Sequence, residues 1–134
     1  MDFEEEKEIK NSKIVIDHFG YWPTFHDSEI ISIKFERTWD KDNSSIQMRV
    51  YAFEMTDKLK GRYFELVKHC IVDFEFTGIN ENEIDGFNHQ NAVQGLEFGK
   101  EGEFLFCKID PAYGIEGFIQ AKEIRVTNLE PTRD

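Results

Sequence analysis

The sequence predicts a mainly β (α+β) fold: an antiparallel β-sandwich-like sheet stack of six to seven strands with one N-terminal helix. Two observations carry this. Alternation of apolar and polar residues recurs from about residue 28 to residue 128, in runs separated by hairpin-length stretches rich in Asn, Asp, Gly and Pro. The helical spacing of apolar residues is confined to about residues 3–19, so no crossover helices are available for a parallel sheet. At 134 residues the chain is long enough for one domain, 1–134, with its own core.

The helix over 3–19 has Asp2 as N-cap and Glu4, Glu5 and Glu6 at the positive end of its dipole. Ile9, Val15, Ile16 and Phe19 give it an apolar face, although Ile14-Val15-Ile16 also reads as a short strand. Gly20 can take the left-handed conformation that ends a helix, and Pro23 fixes a turn. Tyr21, Trp22 and Phe25 are placed to cover the seam between helix and sheet.

A first strand over about 29–37 ends in TWDKDNSS, whose Asp40, Asp42, Asn43 and Ser44 suit a hairpin loop. The second strand covers about 45–55, and TDKLKGR (56–62) is a basic surface connection. A third strand, about 64–77, is long enough to bend near Lys68 and His69. Residues 78–90 read as a polar connection and 91–98 as a fourth strand with a bulge or close backbone approach at Gly95. The run Phe104 to Ile109 is apolar on both sides apart from Lys108, as in a strand covered on both faces. Asp110-Pro111-Ala112-Tyr113-Gly114 reads as a tight turn, followed by strands over about 115–122 and 123–129 and a frayed EPTRD tail.

Thirteen Phe, four Tyr and two Trp supply the core. Sixteen basic against twenty-seven acidic residues leave a formal charge of −11, which argues against nucleic acid or an anionic membrane as partner. The acidic start MDFEEEKEIK lacks the apolar run of a signal peptide, and no stretch approaches the roughly 18 apolar residues of a membrane span, so a cytoplasmic location is expected. Cys70 and Cys107 both lie in apolar strand patterns and are expected as buried free thiols.

Two stretches invite a chemical reading. His26, Asp27 and Glu29 combine an imidazole with two carboxylates, which could bind a metal or share acid and base roles. The structural reading is that Asp27 accepts local backbone bonds after Pro23 while His26 fixes the turn. Phe87-Asn88-His89-Gln90-Asn91 is a dense set of amides before a strand, suited either to satisfying loop backbone or to polar recognition. No nucleophile beside a His, no phosphate-cradling Gly loop and no metal-ligand spacing is present, so no catalytic residue, metal or cofactor is assigned and the chain does not read as an enzyme.

The segments FGYWPTFHDSEI, IVDFEFTGINENEIDGFNHQNAVQGLEF and GFIQAKEIRVTNLEP occur in this order across about residues 15–130. With them the chain resembles the immunity proteins of bacterial polymorphic-toxin systems, of the type grouped as immunity protein family fifty. The resemblance implies a small cytoplasmic β-rich protein that binds and blocks a cognate toxin domain without catalysis. A basic toxin would be drawn in by the net charge, and the acidic positions Glu81, Glu83 and Asp85, with Asn88 and Gln90 beside them, are the expected contact residues. Two rivals stay open. A carbohydrate or small-ligand module would use Trp22, Trp39 or Tyr51 as exposed aromatics, and a metal-dependent hydrolase would use His26, Asp27 and Glu29.

Overall fold

The computed structural model describes residues 3–39 and 43–132. Asp2, Asp40, Asp42 and the end of the EPTRD tail lie outside the described residues. Among those described are two short helices, α1 (Glu5–Glu8) and α2 (Ser12–Phe19), and six strands: β1 (Glu29–Thr38), β2 (Asn43–Lys60), β3 (Tyr63–Asp85), β4 (Ala92–Glu101), β5 (Phe104–Tyr113) and β6 (Glu116–Pro131). Every strand pairing is antiparallel, in the order β1-β2-β3-β6-β5-β4, and the single sheet curls until β1 meets β4 as a closed barrel.

The mainly β antiparallel architecture follows from the alternation, and the opposing layers expected from it are opposite walls of one curled sheet. Bulges bend the strands enough for this. Register shifts fall at Ile30/Ser32, Ala52/Glu54, Asp73/Phe74 and Ile79/Glu81. The bend expected near Lys68 is one of these, with Lys68 at φ 58° opposite the Ala52/Glu54 shift. Another is the bulge at Gly95, where a Cβ would lie 3.1 Å from the Thr24 carbonyl oxygen.

Inward side chains of every strand meet in one core. Trp22, Phe25, Phe74 and Phe98 form an aromatic cluster inside it, with Trp22 at 5.8, 6.2 and 5.4 Å from Phe25, Phe74 and Phe98. Phe19 at the end of α2 is buried as well, whereas Tyr21 is turned outward and its hydroxyl donates to Glu54 Oε1 at 2.5 Å.

Several expected boundaries move. The single helix over 3–19 is two helices, because the backbone of Lys10 pairs with β6: its N–H donates to Ile124 O at 2.9 Å and its carbonyl accepts from Val126 N at 2.9 Å. Asn11 then turns the chain at φ 61° before α2 starts. Gly20 ends α2 as expected, at φ 91°, with its N–H on Ile16 O. The connection expected over 56–62 is strand as far as Lys60, and the one expected over 78–90 is strand as far as Asp85. Both segments gain ladder bonds from a neighbouring strand, which outweigh polar composition. The turn expected over 110–114 lies at its end: Asp110 and Pro111 pair with Gly95 and Val93, and only Gly114, at φ 87°, turns the chain. Phe104 to Ile109 has one buried face, Leu105, Cys107 and Ile109, while on the other Phe104 and Phe106 are half-buried and Lys108 is exposed. The two strands expected over 115–129 are one. Glu130 and Pro131 of the supposed frayed tail pair with Ile71 and Cys70, and Thr132 N–H donates to His69 O at 3.0 Å.

Candidate functional site

The His26 turn closes the barrel. Phe25 and Asp27 both sit at φ 63°, a left-handed geometry that bends the chain sharply into β1. Asp27 N–H donates to Val93 O at 2.9 Å, Val93 N–H donates to Ser28 O at 2.9 Å, and His26 Nδ1 donates to Gln94 O at 2.9 Å. The imidazole thus ties the turn to β4, with its Nε2 3.4 Å from Asp27 Oδ2. Glu29 stands in the strand ladder between Tyr51 and Ala92. Among the described residues, no group of three His, Cys, Asp or Glu side chains is arranged to hold a metal ion.

In the 86–91 loop the amides serve the backbone. Asn88 Nδ2 donates to Gly86 O at 2.8 Å and Asn88 Oδ1 accepts from Gln90 N–H at 3.1 Å. Asn91, 3% exposed, bonds the backbone of Asn88 through both ends of its amide. Gln90 is exposed on the same loop.

An open groove of about 980 Å³ lies where β3, β4, β5 and β6 converge. Its apolar walls come from Trp22, Pro23, Leu96, Phe98, Ile109 and Phe118. Six carboxylates line it as well: Glu5, Glu83, Asp85, Glu97, Asp110 and Glu116, against the single base Lys108. Gly117 lets β6 approach β3 at the groove, since a Cβ there would sit 1.7 Å from Glu83 O. Like charges gathered in a concave wall raise the local negative potential above that of the surface around it. Such a groove suits a cationic side chain with an apolar stem, or a basic segment that also presents an aromatic residue.

Of the residues singled out in the sequence, Glu83 and Asp85 line this groove. Glu81, Asn88 and Gln90 are not among the lining residues; Glu81 is exposed opposite Gln120 in the β3–β6 ladder. Glu5, Glu97, Asp110 and Glu116 were missed because they stand far apart in the chain, each an unremarkable charge on its own strand or helix. Of the aromatics, Trp39 is 89% exposed, Trp22 is half-buried in the aromatic cluster, and the half-buried Tyr51 hydroxyl bonds His69.

No described helix is long and apolar enough to cross a membrane. A family model described as Immunity protein 50 matches residues 11–132. No curated protein and no solved structure gives a significant match.

Proposed function

The chain belongs to the immunity protein 50 family, and from that membership we propose that it neutralises a cognate toxin domain in the cytoplasm by binding it, with no catalytic step of its own. The groove between β3, β4, β5 and β6 supports this reading. Its six carboxylates and apolar walls form a recognition surface for a partner that carries positive charge and apolar side chains. The partner that fits is a basic protein domain. A cationic segment seated there would be held by desolvated charge pairs and by apolar contact together, the combination found at energetic centres of interfaces.

Co-expression tests this. The C-terminal domain of a large secreted protein encoded beside this gene is expressed alone and together with this chain. The expected result is growth arrest alone, rescue together, and a stable one-to-one complex on purification. A domain that is toxic alone and neither rescued nor bound would reject that pairing.

A further inference from the structure

We propose that the free edge of β1 pairs with β1 of a second copy, making a symmetric dimer through a continuous sheet. β1 meets β4 at Glu29↔Ala92, and Ile30 N–H donates to Asn91 O at 3.0 Å; past these two residues, among the described residues, the strand is laddered only to β2. Its other edge, from Ile31 to Thr38, therefore has no strand partner among the described residues. Unpaired backbone on an exposed edge is a template for another strand.

The side chains along this edge select a second copy over an unrelated strand. Phe35 is 56% exposed and Ile31 44% exposed, and Trp39 just past the strand end is 89% exposed. An antiparallel pairing about a two-fold axis through Phe35 sets that ring against its own copy. The same register places Lys34 opposite Glu36 of the second copy, and by symmetry Glu36 opposite its Lys34. Ile33 then faces the stem of Arg37, Ser32 faces Thr38, and Trp39 comes to the neighbourhood of Ile31. A lysine on an edge strand ordinarily blocks pairing. Here Lys34 already lies 3.7 Å from Glu36 of its own strand, an exposed pair, and the two-fold adds Glu36 of the second copy, so four alternating charges meet in this register and in no shifted one. β1 also balances Lys34 and Arg37 against Glu29 and Glu36, a neutral strip on a chain of net charge −11. No residue lining the acidic groove lies on β1, so the dimer edge and the toxin-binding reading are independent. A strand edge buries less than the roughly 1,600 Å² of a standard interface, so the dimer should be a weak, concentration-dependent one.

Sedimentation equilibrium of the full chain, from low micromolar to near-millimolar concentration, tests the pairing. The expected mass rises from the 15.8 kDa monomer toward twice that value. Lys34→Glu and Glu36→Lys, each setting like charges opposite one another twice, should each loosen the dimer roughly tenfold. The double variant Lys34→Glu/Glu36→Lys restores opposite charges and should bind as the natural protein does. Both positions are exposed, so circular dichroism should show unchanged folds. A monomer at every concentration overturns the proposal, as does a dimer indifferent to both single reversals or a double variant no tighter than the singles.

Discussion

The buried side chain of Asn91 makes two hydrogen bonds to the backbone of one residue, Asn88: its Oδ1 accepts from the N–H at 2.9 Å and its Nδ2 donates to the carbonyl at 2.9 Å. The amide thereby copies the pairing that a neighbouring strand would give and holds the 86–91 loop shut. Only an amide supplies donor and acceptor at this spacing. Gly114 packs on the same loop, where a Cβ would lie 2.3 Å from Gln90 O.

Asn91→Leu should therefore strand both polar groups of Asn88 and lower stability by about 2–4 kcal/mol, while Asn91→Asp loses the donor and buries a charge. Chemical denaturation measures this. A variant within about 0.5 kcal/mol of the natural protein would mean that the loop finds other partners.

Charge reversal in the groove gives a second prediction. Glu83 and Asp85 are exposed on the lip of β3, with Asp85 Oδ1 accepting from Gly86 N–H at 2.9 Å, so Glu83→Lys/Asp85→Lys should cost no more than about 1 kcal/mol of unfolding free energy. Association with a basic toxin domain should slow at least about tenfold, and the natural protein's on-rate should fall as salt is raised. Stopped-flow mixing at several ionic strengths reads both effects. An on-rate that ignores salt and the reversal alike would place the toxin elsewhere on the surface.

Tyr21 and Glu54 make stability depend on pH at both ends of the scale. The Tyr21 hydroxyl, together with Lys68 at 3.5 Å, holds the Glu54 carboxyl below its ordinary 4.5. Partial burial, and then the bond to Glu54, push Tyr21 from 10 up to about 12. A lowered carboxyl stabilises the fold above its unfolded value and loses that contribution as pH falls through the folded one. A raised phenol stabilises it below its unfolded value and loses that contribution as pH rises from 10 through about 12. Both groups are largely solvent-screened, so the effects are small. Tyr21→Phe should flatten both limbs of the stability profile; limbs unchanged from the natural protein would show the bond to be energetically neutral.

Cys70 and Cys107 are fully buried free thiols. Burial pushes Cys70 up to about 12 and Cys107 further in the same direction, leaving almost no thiolate at neutral pH. An aromatic disulfide reagent should label neither in the native protein, and denaturant should release two equivalents together. Fast native labelling of either would reveal a local opening of β3 or β5.

The antiparallel β architecture, the buried cysteines, the helix stop at Gly20 and the bulge at Gly95 can all be read along the chain. Each of these rests on neighbours in the chain: alternation reports one buried face, and a glycine reports its own backbone freedom. The family, too, was legible in the order of three segments. Other features arise only when distant segments pack together. Lys10 leaves helical geometry because β6 lies beside it, Glu130 and Pro131 become strand because β3 offers partners, and one curled sheet stands where two layers were expected. The acidic groove is of this second kind. Glu5, Glu83, Asp85, Glu97, Asp110 and Glu116 share a site only because four strands converge there, and a non-local juxtaposition leaves no periodic trace in the chain.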